Sequence, residues 1–360
     1  MTPPLVPACL TMLVLAVIAA GRSPLDARRA EHSHRVPQPQ ALASPRTTAQ
    51  VTLRPLWRSA PDELLYPIDI QFSAAGLLVF DQGAHGLHAL DSRTGRILRS
   101  FGRQGTGPGE YTQPAQLFGT RREPHTVQFS IGRVADVSSL AVTPRRTPSG
   151  GRWSSACSWR DRSVLLQTAG HATHDVFIVA LGDSARLLDS IPVPFPRLSG
   201  RPFMERQAQL RQVDDSTCAI VPLYQPEFAL LSPGRPTRSG SSVEVLPEAR
   251  LQVIKTEGGR IERLQSGARA GAIDVRGWRD LVLVLFSGTT HHKRRVIDAY
   301  SRSNLGYVGS ILLPLESTRM AISGDTLAVV GDDQGVPAVA AFLLSRTRNG
   351  RPRARKAPGG

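Results

Sequence analysis

Between Tyr66 and Phe101 short apolar runs alternate with turns rich in glycine and aspartate, and this punctuation constrains the chain to a β-sheet architecture. Ile68, Ile70 and Phe72 alternate with polar neighbours, the period of a half-buried strand. Ala74-Ala75-Gly76 turns into Leu77-Leu78-Val79-Phe80, an apolar run too short for a typical helix. Asp81 to Gly86 turns again, and Leu87, Ala89 and Leu90 mark a third strand. Asp91-Ser92-Arg93-Thr94-Gly95 ends in the residue that tolerates positive φ, and Ile97 to Phe101 follows as a fourth strand. Four short strands joined by tight turns within about 40 residues are the unit of a propeller blade.

The same grammar returns near the C-terminus. Ala272 to Val275, the run Leu281 to Phe286, Arg295 to Tyr300 and Tyr307 to Leu313 read as strands around polar turns. Arg319 to Ile322, Thr326 to Val330 and Pro337 to Leu344 begin another unit, which Val51 to Trp57 is expected to complete, closing the ring. Ser163 to Val193 and Thr217 to Leu246 supply looser candidates. Within Pro202 to Val213, the spacing of Gln207, Leu210 and Val213 predicts a short connecting helix. The stretch 119–162 is rich in Arg, Ser and Pro and, apart from the strand-like Val134 to Val142, loses the strand pattern; it reads as an inserted loop or as a piece translated out of frame. With 28 prolines and 32 glycines, a helix bundle is excluded.

The net charge of +15 is uneven. Arg22 to Arg58 carries seven arginines against Asp26 and Glu31, 121–162 carries eight against three acids, and the tail from Arg346 carries five plus Lys356 against none. The remainder is nearly neutral, and the basic segments are poor in the aromatic side chains that nucleic-acid faces use, so nucleic acid is not the expected partner. Leu10 to Ala20 is an apolar stretch of eleven residues, too short to span a bilayer and suited to a signal peptide cleaved after small residues. Export to the periplasm or outside is therefore expected, with no transmembrane segment in the mature chain. The resulting division is a signal peptide over 1–20, a disordered linker over 21–50, a propeller over 51–345 and a basic disordered tail over 346–360. Three cysteines exclude a disulfide scaffold; Cys157 and Cys218 can pair in an oxidising compartment, but two cysteines do not establish that they do.

Phe101, Gly102, Gly105, Gly107, Pro108, Gly109, Glu110 and Tyr111, followed by Pro114, resemble the inter-blade link of NHL-like six-bladed β-propellers, where a strand ending in Phe-Gly leads into a Gly-Pro-Gly-Glu-Phe run and a proline opens the next blade. The segments 66–117 and 270–345 are similar to exported bacterial propellers of this superfamily, TolB-like proteins included. The resemblance implies an all-β, six-bladed propeller. Six blades of about 45 residues need about 270 residues, and 51–345 accommodates them.

The glycines of the link do not form a phosphate loop, because neither Gly-Lys-Ser/Thr nor a helix follows. His171 and His174, and the adjacent His291 and His292, lack the surrounding ligands that zinc requires. Asp214-Asp215 and Asp332-Asp333 fit turn chemistry, and Asp69, Asp81 and Asp274 read as strand-end residues. No Gly-x-Ser-x-Gly elbow is present. The expected function is a monomeric, non-catalytic scaffold for a protein, peptide or glycan, without cofactor and with no catalytic or metal residue assigned. The alternatives are a metal-dependent hydrolase of gluconolactonase-like type and an inactive, misread frame.

Overall fold

A computed structural model describes residues 46–60, 63–112, 114–128, 132–145, 153–159, 162–167, 175–180, 186–192, 194–195, 207–243, 251–256, 259–264, 271–287 and 292–346. These form an all-β, six-bladed propeller of four-stranded antiparallel sheets. The signal-peptide stretch, most of the linker and almost the whole basic tail lie outside the described residues.

β1 (Val51–Arg58) is the rim strand of the last blade. The first blade is β2 (Pro67–Ser73), β3 (Gly76–Asp81), β4 (Gly86–Leu90) and β5 (Ile97–Phe101). A link containing the parallel pair β6 (Arg103–Gln104) and β7 (Glu110–Tyr111) leads to the second, β8 (Ala115–Gly119), β9 (Pro124–Gln128), β10 (Arg133–Asp136) and β11 (Thr143–Arg145). The third is β12 (Trp153–Trp159), β13 (Arg162–Gln167), β14 (Asp175–Ala180) and β15 (Arg186–Pro192). The fourth is β16 (Ala208–Asp214), β17 (Thr217–Pro222), β18 (Glu227–Leu231) and β19 (Arg238–Ser241). A separate hairpin, β20 (Leu251–Thr256) and β21 (Gly259–Leu264), precedes the fifth blade of β22 (Ala272–Trp278), β23 (Leu281–Phe286), β24 (Val296–Ser301) and β25 (Tyr307–Leu312). The sixth joins β26 (Glu316–Ser323), β27 (Thr326–Asp333) and β28 (Val336–Arg346) to β1. The first strand of each blade contacts those of its two neighbours, so six inner strands close around one axis.

Sheet stacking explains the burial pattern. Second strands are covered on both faces, so β9, β17 and β23 are buried throughout, and the run Leu281 to Phe286 needs no polar alternation. Rim strands such as β5 and β11 are largely exposed. The apolar core is accordingly divided into clusters between adjacent blades, as where Ile70, Leu77 and Val79 of the first meet Ala328, Val330 and Val339 of the sixth.

The ring is closed by the N-terminal side of the chain. β1 pairs with β28, while Thr48 bridges Ser310 on the rim of the fifth blade and Ala49 donates its N–H to the Ser310 carbonyl at 2.8 Å. Gly309 lies beneath this strap with φ +154°, and a Cβ there would sit 2.5 Å from the Ala49 Cα.

Two expectations are corrected. Where the sequence loses the strand pattern over 119–162, the described residues form β9 to β12, paired antiparallel with a register shift between Trp153 and Ser155. Their strands bury polar side chains, among them His125, Thr126, Gln128, Ser155 and Ser158, so hydrophobic periodicity does not reveal them. In place of the helix expected within Pro202 to Val213, Ala208 onwards forms β16, and 201–206 lie outside the described residues. Leu210 packs with Cys157 and Ile220, whereas Val213 packs in a different cluster with Val221 and Val275. Two opposed apolar surfaces suit a strand between blades, and the three-residue spacing that mimics a helical face spans the two sides of a sheet.

Candidate functional site

An inner strand has no partner strand on its axial side, so its edge N–H groups need other acceptors. Here, side chains of neighbouring blades supply many of them. Asp69 accepts the Leu117 N–H at 2.8 Å, Gln116 accepts the Ala156 N–H at 3.2 Å, Ser155 accepts the Leu210 N–H at 2.6 Å, and Asp274 accepts the Met320 N–H at 2.8 Å. Asp69, Ser155 and Asp274 each follow a shift in strand register, where the extra residue re-aims the side chain. Asp69 and Asp274 are thus mid-strand and axial, not strand-end turn residues; Asp81 does end β3.

Three arginines join these carboxylates. Arg211, on the fourth blade, extends toward the opposite first blade: its Nη1 lies 4.0 Å from Asp69 Oδ2 and its Nε 3.7 Å from Asp274 Oδ1. Arg276 holds Asp274 Oδ1 at 2.8 Å and donates to the Gln212 and Val275 carbonyls. Arg319 Nε lies 3.8 Å from Asp69 Oδ1. Burial pushes the Arg319 guanidinium down to about 10, with repulsion from Arg211 adding to it, and burial lowers Arg276 against the opposing pull of Asp274. Arg211 and Asp69 are each 2% exposed and Asp274 is fully buried. Both carboxylates are therefore committed to backbone N–H groups and guanidiniums, an arrangement suited to holding charge and poorly suited to proton transfer. Among the described residues no cluster of three or more His, Cys, Asp or Glu side chains could hold a metal ion.

A second feature lies at the turn ends of the third and fourth blades. A groove of about 880 Å³ is lined by Trp159, Ile178 and Leu231, with Arg162, Arg235, Arg238 and Arg302 around them and no carboxylate among its described lining residues. Trp159 at the end of β12, Arg162 at the start of β13 and the turns after β16, β18 and β24 contribute to it, and Arg238 anchors it by donating to the Arg302 carbonyl at 2.6 Å. Burial lowers the Arg302 guanidinium, which also pairs with Asp214. The buried indole N–H of Trp159 has no hydrogen-bond partner. Beneath the groove, the Cys157–Cys218 disulfide ties the third blade to the fourth.

The glycine-rich link runs from Phe101 to Pro114 between the first and second blades. Gly102 adopts φ +82°, and a Cβ there would meet the Tyr111 ring at 2.8 Å. Tyr111 is buried, packs edge-on to Phe80 at 5.0 Å and lies 3.2 Å from the Thr126 hydroxyl. Glu110 accepts the Gly107 N–H at 2.6 Å and pairs with Arg103, while Arg133 donates to the Thr106 and Gly107 carbonyls. The chain's own carboxylate thus sits where a phosphate loop would hold its ligand. Gly105 and Gly107 leave room for the Glu110 side chain, Pro108 and Gly109 form the turn, and Pro114 is exposed just before β8.

The Asp pairs do turn chemistry: Asp214 accepts the Ser216 N–H, Asp332 accepts the Gly335 N–H and Asp333 pairs with Arg58. His171, His174 and His291 lie outside the described residues. One constellation escaped the sequence reading because its members lie on successive strands. Asp81, His88 and Ser100 adjoin, with His88 Nδ1 2.7 Å from Ser100 Oγ and Nε2 3.7 Å from Asp81 Oδ2. Asp81 is, however, occupied by the N–H groups of Leu65, Tyr66, Gly83 and Ala84, so it orders the chain around it instead of orienting the imidazole for catalysis.

No family model matches the chain, and no curated protein matches it. Among solved structures, the β-propeller domain of Myceliophteria thermophila Cps50 (Swd1) is similar at 11% identity and TM-score 0.46, covering 76% of this chain and 82% of that one. BamB from Moraxella catarrhalis is similar at 10% identity and TM-score 0.40, covering 82% and 90%. A catalytically inactive virginiamycin B lyase from Staphylococcus aureus, crystallised with quinupristin, is similar at 10% identity and TM-score 0.48, covering 81% and 99%. The six-bladed architecture rests on this chain's own strand pairing.

Proposed function

We propose that the protein is a non-catalytic, exported binding propeller that recognises a polypeptide segment carrying carboxylates and apolar side chains. The observation that carries this reading is the groove of the third and fourth blades, where Arg162, Arg235 and Arg238, together with Arg302 in its pair with Asp214, surround Trp159, Ile178 and Leu231, and no carboxylate is among the described lining residues. Arginine forks favour carboxylate oxygens, and an aromatic-aliphatic floor favours neighbouring apolar residues. Placement in the NHL-like, TolB-like superfamily draws support from the packed link of Phe101 to Pro114. Export draws support from Leu10 to Ala20 and from a disulfide that suits an oxidising compartment.

Fluorescence anisotropy with two labelled decapeptides, one alternating Glu and Leu and the other Lys and Leu, tests the reading. The acidic peptide is expected to bind, to weaken as salt rises and to lose roughly tenfold in affinity in Arg235→Glu. Equal binding of both peptides, or of neither, would overturn it. So would a stoichiometric divalent metal in the purified protein together with lactone turnover, the behaviour of a gluconolactonase-like enzyme.

A further inference from the structure

We infer that the propeller axis holds a small monovalent anion, of halide or carboxylate type, between Arg211 and Arg319. The inference stands apart from the peptide-binding groove. Among the described residues, the axial cluster sets three guanidiniums, Arg211, Arg276 and Arg319, against two carboxylates, Asp69 and Asp274. One positive charge is left over in a space where Arg211 is 2% exposed and the Arg319 side chain 21% exposed. Arginine does not lose its proton in proteins, so the excess cannot be relieved by neutralisation as it could be with lysine.

The hydrogen bonding points the same way. Nε and Nη1 of Arg211 and Nε of Arg319 are buried donors without hydrogen-bond partners. All three belong to the two side chains that flank the Asp69 carboxylate from its two oxygens. A buried, charged donor left unpaired is costly, and water would satisfy its N–H without balancing its charge. A monovalent anion does both. A divalent one would replace an excess of one positive charge with an excess of one negative charge, so phosphate and sulfate are disfavoured. The partly exposed Arg319 marks the way in.

The test is thermal melting of the full chain in a buffer free of halide and small carboxylates, with ionic strength held constant by sodium HEPES. Added chloride or acetate should raise the melting temperature saturably, on the order of 5 °C at a hundredfold excess over Kd. Arg319→Gln removes the surplus charge. It should melt at least as high as the native chain in the anion-free buffer and lose the saturable response, whereas Arg162→Gln in the groove should keep it. No saturable response in the native chain, or the same response in Arg319→Gln, would overturn the inference. If that variant does not fold, chloride-35 NMR line broadening by the native protein, reversed by acetate, decides: its absence counts against the site.

Discussion

Arg46 reaches Asp298 across a sequence separation of 252, with its Nε 2.9 Å from Oδ1 and its Nη2 3.0 Å from Oδ2. Asp298 is fully buried in β24 and also accepts the Ser310 hydroxyl. The residue just ahead of the closing strand thus clamps the fifth blade, so ring closure engages two blades. Arg46→Met would leave a buried carboxylate without its guanidinium and should cost about 3–5 kcal/mol. Urea unfolding measures it, and a loss below about 1 kcal/mol would show that the strap does not hold the ring.

Gly309 and Gly324 provide a paired comparison. Both have positive φ, +154° and +58°, but alanine at 309 collides with Ala49 of the strap, whereas at 324 it meets nothing within 4 Å. Gly324→Ala should cost about 1 kcal/mol from backbone strain alone. Gly309→Ala should cost clearly more and should speed proteolysis near residue 49. Equal melting temperatures for the two variants would contradict this packing.

Cys157 in β12 and Cys218 in β17 bridge adjacent blades with a Cα–Cα distance of 6.1 Å and a sequence separation of 61. Releasing a loop of that size should remove about 4 kcal/mol in the chain-entropy model. Melting with and without reductant, alongside the double variant Cys157→Ala, Cys218→Ala, reads the effect. Unchanged melting under reduction would mean that stacking of the third and fourth blades suffices without the bond.

Asp81 links stability to pH. Its burial opposes ionisation, but the His88 side chain and the N–H groups of Tyr66, Leu65 and Ala84 outweigh it and hold the carboxyl down to about 2, against 3.8 for the free group. Because the folded value lies below the unfolded one, the stabilisation is full above about pH 4 and is lost as pH falls from about 4 to about 2. Its size is about 2 kcal/mol. Asp81→Asn should therefore be less stable at neutral pH and show a flatter acid limb in that window. An acid limb identical to that of the native chain would refute the assignment.

Much of the propeller was legible in residue order because a blade's middle strands are covered on both faces. Leu77 to Phe80 and Leu281 to Phe286 announce themselves as apolar runs between turns. Where blades bury polar groups instead, as with Ser155, Ser158 and Gln128, the pattern vanishes although the strands remain. The link from Phe101 to Pro114 could be found by its glycines, but the insertion of Glu110 into the space above Gly105 and Gly107 could not.

Local order alone determined the short strands, the Gly/Asp turns and the all-β class, since these depend on periodicity of two and on backbone freedom over a few residues. Only the closed ring decided that Asp69, Arg211 and Asp274 converge on one axis. Those residues come from three blades spread over some two hundred positions, and no local pattern encodes a meeting produced by the rotation of one blade upon the next. The groove around Trp159 and Arg235 has the same origin: its walls are turns of different blades, brought together by sheet packing.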